Sequence, residues 1–226
     1  MRIAIAGGHG KIALLTAGLL TRRGDEVLAL TRNLEHAADI EAAGATAVEA
    51  DLETMDAAAL AAVIQGSDAV IFAAGAGPNS GIPRKDAVDR GGAVLLADAA
   101  SQAGIRRYLL VSSMGVESVR GGATPEGVGE VFVAYLRAKL AAEDDLRARD
   151  LDWTVLRPGS LTDDPAAGTV QLSPDAPRGA VPRADVAAVL VALLDEPRSA
   201  GTVLQLIGGP TPVAEAVQAA VLAGSA

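Results

Sequence analysis

The chain contains no cysteine, so disulfides, thiol nucleophiles and thiolate metal centres are all excluded. Histidine is almost as scarce: His9 and His36 are the only two, and their separation offers no metal-ligand spacing. Aromatic side chains amount to Trp153, two Tyr and two Phe in 226 residues. The core must therefore be built from Ala, Val, Leu and Ile, which suits helices packed closely on a parallel sheet. Positive charge is also in deficit, with 19 Lys and Arg against 28 Asp and Glu and a formal net charge of −9. That balance argues against a nucleic-acid backbone or an anionic membrane as partner, so any phosphate has to be held by local cations and N–H dipoles. Long apolar runs are missing too. The longest strongly apolar stretch, 186–194, is too short to cross a bilayer, and the N-terminal one ends at glycines before it can form a signal peptide. These absences lead us to expect a soluble, cytoplasmic, single-domain protein spanning 1–226 that acts on a small molecule, with its oligomeric state left open.

What is present is organised around the first twenty residues. A short apolar strand, 3–6, runs into a glycine-rich turn and then into a helix starting near Gly10, with Ile12, Leu15, Leu19 and Leu20 expected on its buried face. The glycines read Gly7-x-x-Gly10-x-x-Ala13, a variant of the dinucleotide fingerprint. Gly7 permits the tight turn, Gly10 lets backbone N–H groups approach a pyrophosphate, and Ala13 lets helix and strand pack closely. The free N–H groups and positive dipole end at the helix start make an anion site over Gly7, Gly8, His9, Gly10, Lys11 and Ile12. The alternative is an empty structural turn. His9, between glycines, reads first as a solvated loop residue and otherwise as a cofactor contact. Lys11 either reaches a cofactor phosphate or decorates the first helical turn.

Strand and helix signals then alternate to the end of the chain. The second strand, 26–31, ends in Thr31-Arg32-Asn33, where fingerprints that prefer NAD place an acid; Arg32 suits a ribose 2′-phosphate instead, or else caps the following helix in solvent. The third strand, 45–49, leads to Asp51-Leu52, at the level of an adenine, where Asp51 accepts from the base or starts a turn. After a helix at 56–64, the fourth strand, 69–73, runs into Ala74-Gly75-Ala76-Gly77-Pro78, small residues that admit a cofactor ribose or form a plain loop. A long helix at 84–103 carries Gly91-Gly92, a pair that costs helix propensity and suggests close approach of another helix; Gly104 closes it. The fifth strand, 107–112, delivers Ser112, Ser113 and Met114 at the edge where ligands bind in an open parallel sheet. Residues 115–128 read as a mobile loop. A helix at 131–149, a sixth strand at 153–156 ending in Arg157-Pro158-Gly159-Ser160, and a proline-rich substrate-side loop at 159–182 with a short strand at 169–172 follow. A helix at 183–194, a strand at 203–206 and a helix at 213–223 close the chain. The fold class expected is α/β, doubly wound, with a mainly parallel sheet in the order 3-2-1-4-5-6-7.

Tyr135 and Lys139 stand four apart, on one face of their helix. A neighbouring ammonium favours a phenolate, and such a phenol can exchange a proton with a carbonyl oxygen as hydride is transferred. Together these motifs resemble an atypical short-chain dehydrogenase/reductase, the single-domain group of NAD(P)-binding epimerase/dehydratase-like, flavin or biliverdin reductase-like and NmrA-like proteins. The resemblance rests on Gly7-x-x-Gly10-x-x-Ala13, Arg32, Asp51-Leu52, Ser112-Ser113, Tyr135-x-x-x-Lys139, Arg157-Pro158-Gly159 and Arg183-x-Asp185-Val186-Ala187. It implies a Rossmann fold, a role for Lys139 at the nicotinamide ribose, and Pro158, Gly159 and Ser160 along the nicotinamide. Relatives of the extended type often carry a third serine where this chain has Met114; either Ser113 takes its place or the substrate uses none. The leading expectation is an oxidoreductase using NADP, with NAD as the alternative, on a small carbonyl or hydroxyl compound. Tyr135, Lys139 and Ser113 would be its catalytic residues, and Ala74, Gly75 and Ser112 would join the cofactor contacts. A non-catalytic NADP(H) sensor, a transient-hydride epimerase and a flavin-reductase-like enzyme are the other readings.

Overall fold

The computed structural model describes residues 1–77 and 80–223, so Pro78 of the small-residue loop lies outside the described residues. Strand β1 (Arg2–Ala6) is fully enclosed over its last four residues, because both of its faces are covered. Ile3 and Ile5 point to one side and Ala4 and Ala6 to the other, the alternation a strand imposes. It pairs in parallel with β2 (Glu26–Thr31) and β4 (Ala69–Phe72). Outward from there, β3 (Thr46–Glu49) pairs with β2, and β5 (Arg107–Val111), β6 (Asp152–Pro158) and β10 (Thr202–Gly208) continue in parallel beyond β4. This is the expected 3-2-1-4-5-6-7 order, with β10 as the seventh strand. The far edge turns antiparallel: β8 (Thr169–Ser173) pairs with β10, and the two-residue β11 (Thr211–Pro212) completes a nine-stranded sheet. The proline-rich stretch holds a separate pair, β7 (Ser160–Thr162) beside β9 (Ala180–Pro182), which the sequence did not announce.

Helices cover both faces, the doubly wound arrangement of a Rossmann fold. One layer contains α1 (Lys11–Arg22), α7 (Arg183–Leu194) and α8 (Val213–Ala223), packed on Ile3, Ile5, Val27, Ile71 and Leu109. The other contains α3 (Ala57–Ile64), α5 (Ala93–Gln102) and α6 (Glu130–Arg147), packed on Ala4, Leu30, Val70, Phe72 and Tyr108. The short α2 (Ala37–Ala42) and α4 (Ile82–Arg84) lie in the connections.

Three local expectations need correction. On α1 the buried residues are Ile12, Ala13, Thr16, Ala17, Gly18 and Leu20, while Leu19 is half-buried and Leu15 exposed; Thr16 sits inside because its hydroxyl donates to the Ile12 carbonyl. The helix expected at 84–103 is π-helical from Lys85 to Gly92 before α5 begins. Another helix, α6, does pack on this stretch, but the near neighbours at Gly92 itself are the side chains of Leu52 and Phe72, 3.4 Å from where a Cβ would stand, so its smallness makes room for the sheet and its loop. Finally, the segment read as a mobile loop contains tight helical turns from Val116 to Gly122, and buried Val116 and Val119 pack on Val133, Leu136 and Leu140 of α6.

The glycine turn after β1 is fixed by contact on two sides. Gly7 has φ +80°, and a Cβ on it would stand 2.6 Å from the Ala74 Cα; a Cβ on Gly8 would stand 2.7 Å from the Ala29 carbonyl carbon. Because those neighbours are backbone, Gly8→Ala should destabilise the protein by about 1–3 kcal/mol through overpacking. Urea unfolding monitored at the single Trp reads this, and an unchanged midpoint would show that the turn has slack.

Candidate functional site

The turn aims the start of α1 into a crevice at the C-terminal ends of β1, β2 and β4, the switch point where such sheets bind ligands. A cavity of about 310 Å³ lies there. Its walls are Gly7, His9 and Gly10 of the turn, Thr31 and Arg32 at the end of β2, Asp51, Leu52 and Glu53 after β3, and Ala74 to Gly77 after β4. Gly10 caps α1 with extended backbone and no side-chain cap, and the first turn carries no acidic residue. The N–H groups of Gly8 and Gly10 are spent on the Leu30 and Gly7 carbonyls. Those of Lys11, Ile12 and Ala13 have no carbonyl four residues back within the helix, so they and the helix dipole are free to donate just behind Gly10, which lines the cavity. A Cβ at Gly10 would approach the Gly7 carbonyl oxygen at 3.1 Å and the Ala73 carbonyl oxygen at 3.8 Å, so any side chain there would crowd the turn and take up the room a close-lying anion needs. The residues present therefore fit a pyrophosphate.

The β2–β3 side of the cavity is dense in charge. Arg32 is exposed and donates to Glu53 at 3.3 Å; Glu53 also accepts from Arg84 at 2.8 Å. Asp51 accepts from the Glu53 N–H at 3.0 Å, so its carboxylate starts a turn while it lines the cavity. His9 lies 2.8 Å from Asp39 and stacks on His36 with ring centroids 3.8 Å apart, and both rings line the cavity. Lys11 points elsewhere: it pairs with Asp163 at 2.6 Å, which also binds Arg183. Glu53, Arg84 and His36 escaped the sequence reading because each stands outside any motif, although His36 is half of the histidine content.

Farther along the edge, α6 brings Tyr135 and Lys139 together as their spacing predicts, with the Lys139 Nζ 5.9 Å from the Tyr135 ring centroid. The ammonium is nevertheless engaged by others. It is buried, donates to the carbonyls of Val111 at 3.1 Å and Ala74 at 3.3 Å, and lies 3.2 Å from Asp89 Oδ1 in an ion pair without the directionality of a hydrogen bond. Asp89, in the π-helical stretch, is fully buried and accepts from the Ala76 N–H at 3.1 Å through Oδ2. Lys85, one π-helical position before the acidic pair Asp86 and Asp89, ends 5.5 Å from the Tyr135 ring. Neither Asp89 nor Lys85 was legible, since charges four apart in a helix read as a solvated surface pair.

The serines behave differently from expectation. Ser112 is buried and its hydroxyl donates to Glu143, so it is directed into the protein and not toward the cavity. Glu143 also binds Arg157, with Nε to Oε1 at 3.0 Å, and Arg157 reaches Glu117 at 2.7 Å. The Ser113 hydroxyl donates to the Met114 carbonyl at 3.1 Å. Pro158 accepts from the Met114 N–H at 3.0 Å, Gly159 donates to Leu206 and Ser160 to Gly179, both at 2.9 Å, so this stretch is anchored by backbone pairing. Gly159 is obligatory there, because a Cβ would lie 2.1 Å from the Gly179 carbonyl oxygen. None of Ser113, Tyr135, Lys139 or 158–160 lines the cavity; they lie beyond it along the edge, past Ala74.

Comparison with known proteins agrees with this geometry. A family model described as NAD(P)H-binding matches residues 7–197. YhfK of Bacillus subtilis, a sugar epimerase by name whose activity is uncharacterised, is 36% identical over 96% of this chain and 99% of its own. Among solved structures, a Bacillus halodurans protein named as a candidate NAD-dependent epimerase/dehydratase superposes with a TM-score of 0.87 at 32% identity, covering 97% of this chain and 99% of that one. ChuY of Escherichia coli O157:H7, titled an anaerobilin reductase, gives 0.77 at 28% identity over 93% and 100%.

The Glu117 contact makes acid stability predictable. The guanidinium of Arg120, and behind it that of Arg157, holds the Glu117 carboxyl at about 2, below its ordinary 4.5. A carboxyl lowered by folding adds stability above its unfolded value and loses it as pH falls toward the folded one. Unfolding midpoints should therefore decline between pH 4.5 and about 2, and Glu117→Gln should flatten that decline; an identical pH profile in the variant would refute the assignment.

Proposed function

The chain belongs to the NAD(P)H-binding family, and from that premise we propose that it is an NADP(H)-dependent oxidoreductase acting on a small carbonyl or hydroxyl compound. The observation that carries the proposal is the uncapped start of α1 facing a cavity whose far wall ends in Arg32. The N–H groups of Lys11, Ile12 and Ala13 hold the pyrophosphate, and Leu52 and Ala74 line the adenosine. Arg32 pairs with the 2′-phosphate; Glu53, which now holds Arg32, stays occupied by Arg84 when Arg32 turns to the phosphate. The bound nicotinamide supplies or accepts the hydride. Tyr135, half-buried and with no hydrogen bond to its hydroxyl among the described residues, gives the substrate oxygen its proton in reduction and removes it in oxidation. Lys139, pinned by Asp89 and the Val111 carbonyl, would hold the cofactor ribose.

A second reading is a transient-hydride epimerase, in which the cofactor returns unchanged. It is favoured by the epimerase names of the relatives.

Calorimetric titration should show NADPH binding more tightly than NADH. Loss of a charge-assisted pair of about 1.5–3 kcal/mol in Arg32→Ala should cut that preference about tenfold or more. Equal wild-type affinities would refute the NADP assignment. Tyr135→Phe should lower turnover roughly 10²-fold with NADPH affinity kept; a silent substitution would point to a cofactor sensor or to flavin reduction without a protein proton donor.

A further inference from the structure

Two ammonium groups and one carboxylate are enclosed together behind the loop that follows β4. Lys139 and Asp89 answer each other at 3.2 Å. Lys85 is left over: it is 6% exposed, its Nζ donates to the Gly77 carbonyl at 2.5 Å, and no carboxylate of the described residues is in ion-pair contact with it. Its ammonium also lies over the face of the Tyr135 ring, 5.5 Å from the centroid. A carbonyl and a π-face compensate a buried cation only in part, and an enclosed ammonium without a counter-charge is costly. Asp86, the nearest acid in sequence, pairs with Arg90 and is not available.

The position of this surplus charge is specific. It stands beside the ring of Tyr135, which also has the Lys139 ammonium 5.9 Å from its centroid and the half-exposed Phe132 ring at 5.6 Å between centroids. Resting on the reading of Tyr135 as the reacting end, we propose that the substrate carries an anionic group, a carboxylate or a phosphate, that pairs with Lys85 while its reacting oxygen meets Tyr135. Lys85 has two donors beyond the one given to Gly77, enough for one such group. The pair would orient the substrate against the phenol and restore charge balance to the cluster, and the aromatic pair offers a stacking surface for a flat substrate body.

Three one-ring probes test this on the NADP-loaded protein: benzoate, phenyl phosphate and the neutral benzamide, with affinities from ligand-observed NMR. One of the anions should bind about tenfold or more tightly than benzamide, the worth of one charge-assisted hydrogen bond. The tighter of the two names the group, carboxylate or phosphate. Lys85→Met should erase the difference and Lys85→Arg should keep it, each compared at saturating NADPH. Equal binding of all three probes, or no saturable binding by either anion, would overturn the proposal from wild-type protein alone, whatever the variants' stability. So would an anion preference that survives in Lys85→Met. Failure of NADPH to bind the wild type counts instead against the cofactor reading.

Discussion

The contact on which the site depends is the wedging of two glycines between neighbouring backbones. Gly7 is pressed against Ala74 and Gly8 against Ala29, at separations where no side chain fits. With β1 held between β2 and β4, this wedge leaves the chain one way to leave the strand, and α1 starts with its first N–H groups in the crevice. The fingerprint thus works as a folding constraint before any ligand arrives. Gly10 is less confined, with the Gly7 and Ala73 carbonyl oxygens 3.1 and 3.8 Å from where its Cβ would stand, so its smallness serves the turn and whatever lies beside it.

Around that crevice, buried acids tie down the loops. Asp89, Glu143 and Asp185 are each 0% exposed, and each comes from a different helical segment. Asp89 holds Ala76 and Lys139; Glu143 holds Arg157 and Ser112; Asp185 accepts from the N–H groups of Ala167 and Gly168 at 2.9 Å. All three grip segments at the C-terminal edge of the sheet, where irregular backbone must be paired if it is to be enclosed. The acidic composition therefore has an interior component that the net charge does not convey. Buried and paired, such carboxylates fix geometry more than they add stability.

Much of this was legible. Apolar runs bounded by glycine turns located every strand of the parallel body, and right-handed crossovers then fixed its order, because parallel neighbours joined through helices have few other solutions. Gly104 closes its helix with φ +72°, as a helix-ending glycine should. The pairs β7–β9 and β8–β11 were not legible in full, since two or three residues carry no periodicity and their pairing is set by distant chain. The π-helical stretch was hidden for a related reason: Lys85 and Asp89 show a helical spacing whose outward reading is the ordinary one, and only the packing turns them inward. Ser112 shows the converse, a strand-end serine in the expected place whose hydroxyl is claimed by Glu143, 31 residues on.

The central claim is that a dinucleotide lies across the end of β1 with its phosphates on the first turn of α1. Amide NMR on isotopically labelled protein during titration with NADPH tests it directly. The account predicts the largest shifts at the N–H groups of Lys11, Ile12 and Ala13, with smaller ones at Leu52 and at Gly75 to Gly77 across the cavity. Binding that leaves the α1 amides unmoved and perturbs another face of the sheet would contradict it.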